Sequence, residues 1–182
     1  MKNKIINTGL ILVVAFLAMA CDSYPSLQKY YVDSKENREF ISVDIPASIV
    51  SLKDTDASEE VQETLKSIRK INFLGFQLKE ENITNYTAEK DKVREILKNP
   101  KYQELMRLSD QGKSLMIKYV GEDDAIDEVI LYGSDKELGF ALVRVLGKDM
   151  DPSKMMALAT EIQLNNDSGS MNQVENFFKA LQ

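Results

Sequence analysis

Few side chains in this sequence have the type and spacing that catalysis needs. The chain of 182 residues has no histidine, which excludes Ser-His and Cys-His nucleophile pairs and histidine-ligated zinc. Adjacent Ser/Lys pairs such as Lys113-Ser114 and Ser153-Lys154 lack the Ser-x-x-Lys spacing of penicillin-recognising enzymes. Among 29 Asp and Glu residues no spacing selects a pair for glycoside hydrolysis, and no tryptophan is present to stack on a sugar. We therefore predict that the protein is not an enzyme, has no catalytic residues and uses no cofactor.

The densest acidic cluster could offer oxygen ligands to calcium. It consists of Glu122, Asp123 and Asp124, followed by Asp127 and Glu128. The cluster lacks both the ligand spacing and the central glycine of an EF-hand loop. Because runs of charge usually lie on solvated surfaces, we interpret it as an exposed hairpin turn and predict no metal site.

The N-terminus has the organisation of a secretory signal peptide. Lys2 and Lys4 form a short basic region, and the 12 residues from Gly9 to Ala20 are mostly apolar. A helix that crosses a bilayer needs about 20 apolar residues, so export followed by cleavage is the better interpretation.

Cys21, the only cysteine, stands directly after this segment. The run Leu17–Cys21 resembles the lipobox of bacterial lipoproteins, in which the cysteine thiol receives a diacylglycerol and becomes the mature N-terminus. This resemblance implies cleavage between Ala20 and Cys21 and lipid attachment at Cys21. The alternatives are an uncleaved anchor helix and an ordinary signal peptide followed by a coincidental cysteine.

Charge and anchor together predict where the protein lies. Removing residues 1–20, with their two lysines, would change the net charge from −6 to −8. An acidic mature protein lacks the basic surface of a nucleic-acid binder. It is also repelled by anionic lipid headgroups, so only its acyl chains should contact the membrane. Surface-exported lipoproteins of some gram-negative groups carry an acidic run just after the cysteine, whereas here only Asp22 is acidic. We therefore expect a cell-envelope protein anchored at the outer membrane and facing the periplasm.

Hydrophobic periodicity predicts the elements of one folded domain. Helices are expected after the N-cap candidates Asp56 or Ser58, after Thr87, and after Asp151. From Tyr102 onward apolar residues recur every second position between short turn sequences, which predicts an antiparallel meander. The predicted strands are 40–45, 71–78, 102–108, 114–120, 126–132 and 138–146.

The order β-α-β-α-β-β-β-β-α predicts an α+β fold. We expect a single mixed, largely antiparallel sheet with helices packed mainly on one face. The predicted organisation is a lipoprotein signal peptide (1–20), a lipidated tether with a possible short helix (21–38), the α+β domain (39–163), and a linker with a C-terminal amphipathic helix (164–182).

The C-terminal helix carries an apolar face that includes Phe177 and Phe178. Two arrangements remain open. Either the helix docks on the sheet, or the two phenylalanines are contacts for a partner protein. Docking is favoured because an exposed pair of phenylalanines would promote aggregation.

The mature region resembles the family known as domain of unknown function 4252. The residues that carry this resemblance are Phe40–Pro46, Ile71–Leu78, Tyr102–Met106 and the strand-rich stretch Ser114–Leu146, and it extends over about Leu27–Ile162. It implies a small lipoprotein of a gram-negative envelope, with no assigned catalytic residues to transfer. Because members are often encoded near extracytoplasmic sigma and anti-sigma factors, it also implies an envelope sensing or stress role.

From these observations we expect a lipid-anchored, non-enzymatic binding or adaptor domain in envelope homeostasis or sensing. Its expected contacts are the membrane, through its N-terminal acyl chains, and an envelope protein partner. The alternative is a periplasmic module that binds a small ligand on the sheet face left uncovered by helices. An envelope hydrolase ranks third, since no side chain is evident as a base poised near neutral pH.

Overall fold

The computed structural model describes residues 24–52, 58–164, 172–174 and 176–177. The predicted signal peptide, its cleavage site at Ala20 and Cys21, Asp56 and Phe178 lie outside the described residues. The strands are β1 (Phe40–Pro46), β2 (Val50–Leu52), β3 (Ile68–Gln77), β4 (Gln103–Asp110), β5 (Lys113–Glu122), β6 (Ala125–Asp135), β7 (Gly139–Met150) and β8 (Ile162–Leu164). The α-helices are α1 (Leu27–Ser34), α2 (Glu59–Ser67), α3 (Ile83–Ile96) and α4 (Pro152–Glu161).

Six strands form one sheet in the order β1-β3-β7-β6-β5-β4. The predicted α+β class is confirmed, and so is the meander of four sequential strands from β4 to β7. The β4–β5 turn places Gln111 and Gly112 at φ 45° and 92°. Two successive residues at positive φ are the geometry of a tight hairpin turn whose twist matches that of its strands.

The six-stranded sheet is antiparallel at every junction, whereas the sequence suggested a partly parallel one. Pro46 pairs with Lys70, so residues 47–67 leave and return at the same end of the sheet and make no crossover. The α3 connection does join two strands of the same direction, β3 and β4. Because β7, β6 and β5 lie between them, these two strands never pair.

Helices cover both faces of the sheet, whereas the sequence predicted helices packed mainly on one face. Helices α1 and α3 pack on the first face, the α1/α3 face, against residues such as Phe76 and Leu142. Helices α2 and α4 pack on the second, the α2/α4 face, against residues such as Phe73 and Val43. The reason lies in β3, where consecutive apolar residues point to opposite faces and each face needs cover.

Helix α1 belongs to the folded domain rather than to a tether. Leu27, Tyr30 and Tyr31 are buried in the core beneath it, and the Tyr31 hydroxyl donates to the Leu142 carbonyl oxygen over 2.9 Å. Burial raises the pKa of Tyr31 well above its usual range. The domain therefore begins at least as early as Leu27.

Helix starts follow short polar caps, with one difference from expectation. Ser58 Oγ accepts from the Val61 amide and Asp151 Oδ1 from the Ser153 amide, as predicted. Helix α3 begins at Ile83, not after Thr87, which lies inside the helix and donates to the Ile83 carbonyl oxygen.

A two-stranded ribbon, β2 with β8, was not predicted. A 3-10 turn occupies Ala47–Ile49 before β2 begins. Strands of three residues are too short to show a period in the sequence.

Candidate binding surface

Rows of directly opposed side chains cross the α2/α4 face, because antiparallel register places paired residues on the same face. One row consists of Met106, Ile117, Leu131, Val143, Phe73 and Val43. Its two ends differ in exposure. Phe73 and Val43 are buried, Leu131 and Ile117 are partly exposed, and Met106 is 39% exposed. The described helices therefore cover the β1 and β3 side of this face but not its β4 side.

A second row contains two glycines that report on the space above the sheet. This row consists of Leu108, Leu115, Gly133, Ala141, Gly75 and Ile41. A Cβ atom added at Gly75 would lie 2.6 Å from the Phe177 ring. A Cβ atom added at Gly133 would meet no atom of the described residues within 4 Å. Among the described residues, the space above β3 at Gly75 is thus filled, and the space above β6 at Gly133 is open.

Five apolar side chains form the exposed part of this face, which we name the open patch. They are Met106, Leu108, Leu115, Ile117 and Leu131, contributed by three neighbouring strands, and Leu108 is 56% exposed. Scattered apolar residues on a surface are ordinary, whereas a contiguous apolar patch marks an interaction site.

Strand β4, which contributes Met106 and Leu108 to the open patch, forms an edge of the sheet. All eight of its residues are exposed, and within the described parts of the chain it pairs with β5 alone. A register shift between Glu104 and Met106 makes a bulge at Leu105. An exposed edge strand presents backbone donors and acceptors to another chain.

A polar rim lies at one side of the patch. The hydroxyl of Tyr119 lies 2.6 Å from Asp123 Oδ1 and 3.2 Å from Gln103 Oε1, and the hydrogen bond to Asp123 raises the pKa of Tyr119. The acidic cluster, interpreted from the sequence as an exposed hairpin turn, thus supplies a hydrogen bond in the β5–β6 turn. No group of acidic or thiol side chains suited to a metal ion occurs in the part of the chain that the structure describes.

Two charged side chains on the α1/α3 face, Arg144 and Glu128, form an ion pair. Arg144 donates from Nε and from its second terminal nitrogen to the two Glu128 carboxylate oxygens, over 2.6 and 2.9 Å. Their side chains are only 12% and 11% exposed. Burial opposes the charge of Arg144, but Glu128 outweighs it and raises the pKa of the guanidinium. This saturated ion pair stabilises the fold and leaves neither group free as an acid or base.

Lys118 is the other charged residue buried on this face. Burial lowers the pKa of its amine, and Nζ donates to the Tyr102 carbonyl oxygen over 2.9 Å. The carbonyl cannot accept or release a proton, so this contact holds the β4–β5 region together without forming a catalytic pair.

Phe177 contacts the chain's own sheet. It is 1% exposed, and its ring lies edge-on to Phe73 with centroids 5.4 Å apart. A partner could contact this side chain only by displacing it. The docked alternative is therefore the one observed for Phe177, and its proposed partner contact, like that of Phe178, stays a prediction.

Sequence reasoning missed the open patch. The alternation of Met106 and Leu108 was evident, but not that β4 would lie at an edge of the sheet with no described helix above it. An apolar residue in a predicted strand is ordinarily assigned to the core. Only the tertiary structure shows that Met106 and Leu108 are exposed.

The larger clefts of the described residues lie away from the open patch. One, of about 610 Å³, borders β1 and is lined by residues that include Lys35, Ser42 and Asp44. The other, of about 530 Å³, lies between α1 and α3. No helix within the described residues has both the length and the apolar character needed to cross a bilayer.

Comparison with known proteins gives a family. No curated protein and no solved structure matches the chain. A family model described as a domain of unknown function (DUF4252) matches residues 30–158, from within α1 to within α4. This span covers well over half of the chain and includes all six strands of the main sheet, as the resemblance in its strands predicted. The chain therefore belongs to the DUF4252 family.

Proposed function

We propose that the protein is a lipid-anchored adaptor of the cell envelope that binds a protein partner without catalysis. Acyl chains on Cys21 hold it at the outer membrane, facing the periplasm, where it acts in envelope homeostasis or sensing. The observation that carries the binding role is the open patch, an apolar surface of three adjacent strands beside an exposed sheet edge.

The composition of this surface fits a protein partner. Its centre is apolar, with Leu115 and Ile117 flanked by Leu108, while Tyr119 and Gln103 supply a polar rim. An apolar centre within a polar rim is the usual anatomy of a protein–protein interface.

The absence of catalysis is supported by the state of the interior charges. Arg144 is bound in a bidentate contact with Glu128, and Lys118 donates to a carbonyl. Neither arrangement joins a nucleophile to a base, as covalent catalysis requires.

A photo-activated cross-linker at Leu115 tests the binding role in intact cells. We expect one envelope protein to be captured from Leu115, and not from a matched position at Ile83, an apolar residue 55% exposed at the start of α3. Mass spectrometry identifies the product and distinguishes an envelope protein from a second copy of this chain. Equal capture from both positions, or from neither, would contradict the proposal.

The anchor is tested by Cys21→Ser. The variant should remain unprocessed and unlipidated, because its hydroxyl replaces the thiol that receives the diacylglycerol. We expect the wild-type mature protein to partition into detergent, and the variant to yield no detergent-partitioning mature species. If a mature species of the variant still partitions into detergent, the lipoprotein assignment is wrong.

A small-ligand module is the second candidate. The α1/α3 cleft has a floor that includes Tyr30, Phe40 and Ile96, and its volume lies in the range typical of ligand sites. Its rim is charged, with Lys29 and Asp33 joined by an exposed ion pair. A ligand that protects the protein from thermal unfolding, and no longer does so in Ile96→Ala but still does so in Leu115→Ala, would favour this candidate.

A further inference from the structure

We propose that β4 pairs in antiparallel orientation with β4 of a second copy, joining two six-stranded sheets edge to edge. This inference goes beyond the proposed function, because it concerns two copies of the chain and not an envelope partner. Its starting point is the fully exposed edge strand, which carries the exposed apolar residues Leu105, Met106 and Leu108.

The hairpin turn determines which backbone groups of β4 are directed outward. Asp110 and Lys113 flank the two-residue turn, so they form a pair that exchanges hydrogen bonds. Such pairs alternate along the ladder. Ser109 and Arg107 therefore direct their N–H and C=O groups away from β5, and beyond the bulge Glu104 does the same.

Charge selects one register among those that these outward groups permit. Setting Glu104 opposite Arg107 of the second copy also sets Arg107 opposite Glu104 of that copy, because the pairing is two-fold symmetric. Both side chains lie on the same face, where they already form an exposed ion pair of 2.6 Å within the chain. Moving the register to place Arg107 opposite itself would oppose like charges, which destabilises a sheet.

The same register covers exposed apolar surface. It sets Leu105 opposite Met106 of the second copy, and these residues are 46% and 39% exposed in the single chain. Across the junction the two open patches become neighbours on a continuous sheet. Backbone hydrogen bonds then contribute affinity, as in other edge-strand pairings.

Charge reversal in the full-length chain tests the pairing. Two differently tagged copies are expressed together in cells, and co-purification of one tag with the other is measured. Wild-type copies should co-purify, whereas two copies of Glu104→Arg, or two of Arg107→Glu, should lose about tenfold, because both junction pairs become like-charged. Co-expressing one copy of each variant should restore co-purification, since every junction pair is then opposite in charge.

The mixed pair separates this contact from the intrachain one. Each variant loses its own Glu104–Arg107 ion pair, so recovery on mixing arises only between copies. Lys98→Glu is the control, because it replaces an exposed ion pair with Glu95 on α3 by two like charges. This control should leave co-purification unchanged. Wild-type copies that do not co-purify, single variants that co-purify normally, or a mixed pair that fails to recover would each overturn the proposal.

Discussion

At the scale of single residues, Gly75 and Gly133 lie in one row of the sheet yet have different surroundings. The ring of Phe177 occupies the space where a side chain on Gly75 would extend, and the corresponding space at Gly133 is open. The first glycine is needed for packing, while the second is needed neither for packing nor for a positive φ.

Alanine at these two positions gives a matched pair. Gly75→Ala should lower the free energy of unfolding by about 1–3 kcal/mol, because the buried Phe177 ring must shift. Gly133→Ala should leave it unchanged or raise it by up to about 1 kcal/mol, by restricting the unfolded chain. Urea denaturation measures both, and equal effects would contradict the docking of Phe177.

Asp44 shows how single charges influence stability at low pH. Burial opposes its negative charge, but hydrogen bonds from Lys35, Lys70 and Asn72 outweigh burial and lower the pKa of the carboxyl. Lys35 Nζ lies 2.6 Å and Lys70 Nζ 3.2 Å from Asp44 Oδ2.

A depressed pKa means that Asp44 stabilises the fold above its unfolded-state pKa of about 3.9 and loses this contribution as the pH falls through the lower, folded-state value. The effect should be below about 1 kcal/mol, because solvent reaches the group. Asp44→Asn should therefore lose less stability than wild type between pH 6 and pH 3. Unfolding curves at both pH values measure this difference, and identical losses would show that Asp44 does not contribute.

At the scale of elements, helix α1 belongs to the folded domain and not to the segment predicted as a tether. Its buried residues Leu27, Tyr30 and Tyr31 pack on the sheet, while Val32 is exposed. A helix with one buried stripe is held mainly by this packing, since eight residues are too few for a stable isolated helix.

Two substitutions in α1 test this role. Leu27→Ala should lower the free energy of unfolding by about 2–4 kcal/mol through loss of buried surface and a residual cavity. Val32→Ala, on the exposed side of the same helix, should change it by less than about 0.5 kcal/mol. Chemical denaturation gives both values, and a negligible effect of Leu27→Ala would contradict the placement of α1 in the folded domain.

At the scale of the whole molecule, burial separates residues that hold the fold from residues available to a partner. Phe73 and Met106 stand in the same row, but the helices cover only the first. On the α2/α4 face, the part covered by helices is hydrophobic core, and the part that the described helices do not cover is surface.

Leu108→Asp tests this division. The variant should retain its free energy of unfolding to within about 0.5 kcal/mol, because Leu108 is 56% exposed. It should abolish capture of the partner from Leu115, since a charge would enter the apolar centre of the interface. A strongly destabilised variant would place Leu108 in the core instead.

The sequence alone determined the local elements of this domain and its class. Alternation from Tyr102 onward and turn residues such as Gly112 predicted the β4–β7 meander, because the two-residue side-chain period and positive φ are local properties. The lack of histidine likewise excluded whole classes of site from composition alone. The resemblance carried by the strands led to the correct family.

Only the tertiary structure decided which surfaces are covered. Direction, strand order and the second helical layer depend on contacts between distant residues: β3 pairs with β1 and with β7, and Phe177 fills the space above Gly75. The open patch exists because no described helix lies above β4 and β5, and Met106 and Phe73 are equally apolar in the sequence. Their difference is one of surroundings, which a linear pattern does not contain.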